Sequence, residues 1–240
     1  NDSQLVFIDA LNPASPVRVG VYPITGLPEV QSAELIGGRI EFGRGAGQAL
    51  QLSRAAQPIT TSYADSNARG FTQDVAIYNG LVVAAASEFG AQILQTADGS
   101  WQLNQYPQQA YTIASHLSAI DGERIYLAQQ DRRVVEAVSL SNTTPRQATQ
   151  PKTVFSGLVA TQLAVTQRFL VAAAANQLYI ADKQNLNATG TLTLPNNAQV
   201  KDLAVFGDSV FVATLSNTLL RYELNSLPIV PELVAPKTLL

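Results

Sequence analysis

Apolar residues in this chain come in short runs, and turn-forming pairs break them every few positions. The clearest stretch is Val200 to Leu224, VKDLAVFGDSVFVATLSNTLLRYEL. LAVF and VFVAT flank Gly207-Asp208, TLLRYEL follows Ser216-Asn217, and a weaker run, PELVAP, comes after. Short or alternating apolar runs bounded by such pairs predict the strands of an antiparallel sheet.

The same pattern recurs upstream. Placing the last apolar residue before each first turn in register aligns Ile36, Ile77, Ile120, Val165 and Val205, at spacings of 41, 43, 45 and 40 residues. That period suits a four-stranded propeller blade with its turns. One residue before the anchor stand Leu35, Ala76, Ala119, Ala164 and Ala204; eight after it stand Arg44, Ala85, Ala128, Ala173 and Ala213. Inner propeller strands converge on an axis where large side chains would collide. The eight alanines are therefore expected to be buried on inner strands. The predicted fold is all-β: a β-propeller of four-stranded antiparallel blades, about six in number, or seven with sequence upstream. Residues 1–240 form one domain or most of one, with a half-blade at 1–27 and repeats near 30–63, 72–106, 114–157, 160–195 and 200–237.

The opening segment aligns with the second half of a later unit: Gln4, Leu5, Asp9 and Asn12 match Gln177, Leu178, Asp182 and Asn185. It therefore predicts two outer strands without their inner pair. Supplying that pair from upstream sequence or another chain would close the ring, and until then exposed edges are expected near Val6 and Val210. The chain contains no Met, so it is expected to be an excised or processed piece of a longer polypeptide.

Within this opening segment, Leu5, Ile8, Asp9, Asn12, Pro13, Pro16 and Gly20 follow the rhythm L-x-I-V-D-x-x-N-P-x-x-P-x-x-x-G. LVFIDALNPASPVRVG thus resembles the LVIVD repeat. The match covers about 16 residues and degenerates in the later units. The resemblance implies a β-propeller. Families with this repeat are often exported or surface proteins of bacteria and archaea, so it also implies an extracellular, cell-surface or periplasmic location.

Composition narrows the function classes. With 46% hydrophobic and 14% charged residues the chain is globular. A net charge of −3 and the absence of a basic stripe argue against a nucleic-acid surface. No apolar run approaches the roughly 18 residues of a membrane helix. No cysteine is present, which removes disulfides and thiolate metal sites.

Candidate chemistry is sparse. Arg44 lies in the glycine-rich stretch Gly43 to Gly47, but an alternating run follows it where a phosphate-cradling loop would need a helix. Trp101, the only Trp, offers a stacking platform or covers the outer edge of a blade. His116, the only His, is a general base or a structural polar residue. Arg132 and Arg133 share a turn that could meet an anionic partner or simply be solvated. Asp74, Gln162 and Asp202 stand three residues before their anchors, near one mouth of the channel. Carboxylates there could hold Ca²⁺, serve as the acid/base pair of a glycoside hydrolase or lyase if within about 10 Å of each other, or satisfy backbone groups. With no convergent set of catalytic residues, the favoured expectation is a non-catalytic, cofactor-free module of a larger exported or surface protein. Its partners would be other domains of the same polypeptide, a protein or a glycan, or it would act as a spacer.

Overall fold

The computed structural model describes residues 3–9, 17–24, 30–36, 39–44, 48–53, 61–62, 73–78, 81–85, 90–97, 100–106, 115–122, 124–141, 148–225 and 231–234, with side chains chiefly from residue 73 onwards. Strands β1 (Ser3–Asp9) and β2 (Val17–Ile24) form a two-stranded sheet. Five four-stranded sheets follow, each made of consecutive strands in chain order. Blade one holds β3 (Val30–Ile36), β4 (Arg39–Arg44), β5 (Gln48–Ser53) and β6 (Thr61–Ser62). Blade two holds β7 (Asp74–Tyr78), β8 (Leu81–Ala85), β9 (Ala91–Ala97) and β10 (Ser100–Tyr106). Blade three holds β11 (Ser115–Ile120), β12 (Arg124–Gln129), β13 (Val134–Leu140) and β14 (Ala148–Ser156). Blade four holds β15 (Gln162–Val165), β16 (Phe169–Ala174), β17 (Gln177–Asp182) and β18 (Ala188–Thr193). Blade five holds β19 (Val200–Phe206), β20 (Ser209–Thr214), β21 (Leu219–Glu223) and β22 (Pro231–Val234). Among the described residues the only helical piece is a 3₁₀ turn, Pro195–Asn197.

The first strands of successive blades lie side by side in the order β3, β7, β11, β15, β19, so the blades follow one another around a common centre. This is the antiparallel β-propeller arrangement that the repeat predicts. The turn pairs have the lengths expected of them. Tyr78 faces Leu81 and Ala97 faces Ser100, the pairings that a two-residue hairpin connection requires. Phe206 faces Ser209 across Gly207, whose φ of 61° suits glycine. The Asp-x-x-Asn motif has a local cause at 182–185. Asp182 Oδ1 accepts hydrogen bonds from the N–H groups of Gln184 and Asn185, and Asn185 Oδ1 accepts one from Asn187, so the turn caps itself.

The core is a series of layers between blades. Ala119, Tyr126, Ala128 and Ala137 of blade three pack on Leu170, Ala172 and Ala181 of blade four. Val171, Ala173 and Ile180 on the other face of blade four meet Val210, Val212, Leu220 and Tyr222 of blade five. The apolar run of β16 is buried on both faces for this reason. The alanines lie where the inner strands of one blade pack on those of the next.

Several expectations need correction. Ala76, Ala85, Ala119, Ala128, Ala164 and Ala173 are buried, but Ala204 is exposed and Ala213 is half-exposed. Both lie on the face of blade five that no described blade covers. Val210 is fully buried, since β20 pairs with β19 and β21 and faces blade four; the open surface belongs to the opposite face. The side chain of Val6 lies outside the described residues. In blade three, β14 begins at Ala148 and places Pro151 opposite Val138. Pro is tolerated because β14 is the blade's outer edge. Residues 231–234 supply that same outer position in blade five, and they do not complete the sheet of β1 and β2.

Candidate functional site

The polar residues at the starts of the inner strands join one blade to the next. Asp74 Oδ2, at the start of β7, accepts a 2.8 Å hydrogen bond from the backbone N–H of Ser118 on β11. His116, on β11, donates from Nε2 to the carbonyl of Ala160, just before β15, at 2.7 Å. Gln162, at the start of β15, donates from Nε2 to the carbonyl of Lys201 on β19, at 3.3 Å. Asp202 is the last in the series. With no further blade described beside it, it is exposed, and its Oδ1 accepts from the N–H of the next residue, Leu203. The strand starts thus carry a chain of interblade contacts in which carboxylate, imidazole and amide meet backbone groups. Among the described residues, no group of three or more His, Asp or Glu side chains stands together in a way that could hold a metal ion.

Arg132 and Arg133 are bound into the fold. Arg132 Nη1 donates to Gln129 Oε1 and to Glu136 Oε1 at 3.1 Å, and Gln129 Nε2 donates to the other Glu136 oxygen at 2.6 Å. Glu136 is 3% exposed, so it is a buried charge neutralised from the turn above it. Arg133 has a φ of 55° and donates to the carbonyl of Gly157. Arg44 ends β4 and pairs with Val30 and Gln48, so the glycine-rich stretch joins two antiparallel strands. Trp101 lies on β10, the outermost strand of blade two, opposite Thr96.

At the opposite end of the inner strands is a network that the sequence did not signal. Asp121 accepts from the Arg124 N–H and from the Tyr126 hydroxyl, the latter at 2.7 Å, and Lys183 Nζ of blade four lies 3.7 Å away. Burial, and then the adjacent Asp121 carboxylate, push the Tyr126 hydroxyl well above the usual tyrosine range. The turn also sets the contact with the preceding blade. Gly122 has a φ of 92°, and a Cβ there would collide with the Tyr78 ring.

A concave feature lies between blades four and five. It is an open groove of about 910 Å³, lined by Pro195 to Gln199 on one side and by Leu215, Ser216, Thr218 and Leu220 on the other. Of its lining residues, Asn196 and Asn197 have φ values of 56° and 53°, a conformation Asn tolerates better than most residues. Thr214 Oγ1 fixes the far wall, accepting from the Thr218 N–H and lying within hydrogen-bond distance of both Ser216 Oγ and Thr218 Oγ1. Among the described residues no charged side chain lines the groove; its polar groups are amides and hydroxyls, and Leu215 is 59% exposed beside them. Sequence reasoning read Ser216-Asn217 only as a turn and missed this site. The Pro-Asn-Asn run facing a Ser-Asn turn was the available signal.

No protein-family model matches the sequence, and no curated protein does. Similarity is found among solved structures. The chain is similar to the Cps50 (Swd1) β-propeller domain of Myceliophteria thermophila, with TM-score 0.65 and 10% identity over 85% of this chain and 70% of that one. It is similar to a chain of the Mitotic Checkpoint Complex, with TM-score 0.64 and 12% identity over 92% and 68% of the two chains. It is also similar to PorZ, a bacterial surface component of the type-IX secretion system of Porphyromonas gingivalis, with TM-score 0.61 and 17% identity over 89% of this chain but 28% of that one. At these identities the likeness is one of fold.

Proposed function

We propose that this β-propeller is a non-catalytic binding module of a larger exported or surface protein, related to the LVIVD-repeat propellers, and that it receives a protein partner in the groove between blades four and five. One observation carries the reading. Of the polar side chains at the strand starts, two are engaged between blades, Asp74 with Ser118 and Gln162 with Lys201, and Asp202 accepts from the N–H of its neighbour Leu203. The groove, in contrast, presents uncharged donors and acceptors, which suit a peptide backbone. The match at Leu5 to Gly20 and the fold shared with PorZ support placement outside the cell.

The test is selection of binding peptides from a random library on the whole chain, followed by measurement on a Leu215→Asp variant. Leu215 is exposed, so the variant is expected to fold. Peptides that lose binding at least about tenfold, 1.4 kcal/mol, support the groove. Equal binding to both proteins places the site elsewhere. Turnover of glycosides that disappears in Asp74→Asn or Asp202→Asn would instead establish the hydrolase reading.

A further inference from the structure

The turn between β17 and β18 is held by the side chains of Asp182 and Asn185, and Lys152 of blade three donates from Nζ to the Asn185 carbonyl. Asn187, at the end of this turn, is fixed by its backbone alone. Its N–H donates to Asn185 Oδ1 at 2.8 Å, and its carbonyl accepts from the Asp182 N–H at 3.0 Å. Its side chain is exposed, and the carboxamide makes no hydrogen bond to any described residue. The fold therefore leaves the Asn187 amide nitrogen in solvent with no structural duty.

Asn187 opens the triplet Asn187-Ala188-Thr189, the pattern of an N-glycosylation acceptor: asparagine, any residue but proline, then a hydroxyl residue. All three residues are exposed. The other two matching triplets start at Asn1 and Asn142, outside the described residues.

A triplet of this kind says little by itself; its place in the sheet says more. β18 is the outer strand of blade four and pairs with β17 alone, so its far edge presents unpaired backbone groups. Folded proteins block such edges with charge, proline, bulges or cover. β14 carries Pro151 and Lys152, and β22 carries Pro231 and Glu232. β18, Ala-Thr-Gly-Thr-Leu-Thr, has neither charge nor proline, only a bulge at Thr189, and nearly all of it is exposed. A bulky hydrophilic group on Asn187, one residue before this strand, supplies the missing cover.

We propose that Asn187 is the acceptor of an N-linked glycan that shields the edge of β18. The donor class is a lipid-linked diphospho-oligosaccharide. Asn187 Nδ2 bonds to the anomeric carbon of the first sugar, and the bond from that carbon to the diphosphate oxygen breaks. The lipid diphosphate leaves and the amide nitrogen gives one proton to a base, so the transfer needs no oxidant or reductant. In the folded chain Thr189 Oγ1 donates to the Ile180 carbonyl at 3.2 Å, so the triplet is read before β18 pairs, while an exported chain is still extended. Glycosylation thus depends on export, and not on the groove.

The protein isolated from the cells that make it is separated into cytosolic and exported fractions and digested with trypsin. Mass spectrometry reads the peptide 184–201, bounded by cleavage after Lys183 and Lys201. The expected result is a glycan mass on Asn187 in the exported protein, with Asn187→Gln and Thr189→Val each losing it and Thr189→Ser keeping it. An exported protein whose peptide 184–201 is unmodified overturns the proposal and leaves export standing; a protein confined to the cytosol overturns both. Light scattering then compares the glycoprotein with Asn187→Gln, which is expected to stay folded and to self-associate more. Thr191→Lys on that background, which puts a charge on β18, is expected to cancel the increase. Equal association with and without the glycan overturns the shielding role.

Discussion

The carboxylate of Asp74, on the first strand of blade two, accepts the backbone N–H of Ser118 on the first strand of blade three. Ser118 is buried, so its amide depends on a protein partner. Asp74→Ala is expected to lower stability by about 1–3 kcal/mol, the cost of leaving a buried donor without its acceptor. Asp74→Asn keeps a carbonyl oxygen and is expected to lose less. Urea denaturation separates the two; equal losses would show that the interblade bond contributes nothing.

Position in the array decides the effect of one substitution made twice. Ala164 and Ala204 occupy the same place in the repeat, but Ala164 is buried and Ala204 is exposed. Ala164→Leu is expected to overpack and cost about 1–3 kcal/mol. Ala204→Leu is expected to stay within about 0.5 kcal/mol of the parent, as surface changes usually do. Denaturation midpoints check both, and an equal cost at the two sites would mean that blade five is covered after all.

In the core Glu136 is bonded by Gln129 and Arg132. Arg132→Ala removes the cation but, because Arg132 is half-exposed, the expected loss is about 1–3 kcal/mol. Glu136→Gln on the Arg132→Ala background is expected to recover part of it. A double-mutant cycle with no coupling between the two positions would refute the pairing.

Alkaline pH is expected to weaken the fold. In the unfolded chain Tyr126 and Tyr222 ionise near pH 10. In the folded protein burial raises both, and Asp121 raises Tyr126 further. The unfolded state therefore loses protons first. The stability from this source is complete below about pH 10 and declines as pH rises from there toward the folded values. Tyr126→Phe is expected to flatten this decline while losing the bond to Asp121. Stability measured between about pH 8 and pH 11 gives the two slopes.

The strands and their turns were legible in the sequence because both signals are local. Gly207-Asp208 fixes a two-residue hairpin whatever surrounds it. The alanine pairs were legible as a repeat, but what packs on them was not, because that is a contact between units 40 or more residues apart. Ala119 against Leu170 cannot be inferred from either neighbourhood. The exposure of Ala204 was missed for the same reason: it depends on what stands beside blade five, and the repeat pattern treats every unit alike. His116 and Arg132 stood out by type alone, and only the backbone carbonyl of Ala160 and the buried Glu136 reveal what they do. The groove needed two distant turns to be placed face to face.

Each blade is built from consecutive strands, and no described sheet borrows a strand from another part of the chain. Under tension applied at the two ends, such a chain can come apart one sheet at a time. Removing a sheet exposes a layer such as that between Val171 and Val212 but leaves the ladders of the remaining sheets intact. Stretching is therefore expected to give a saw-tooth of separate rupture events, each releasing a contour length of roughly 40 residues at about 3.5 Å per residue. A protein of this construction would yield gradually under load, shedding one unit at a time while the remaining units keep their shape.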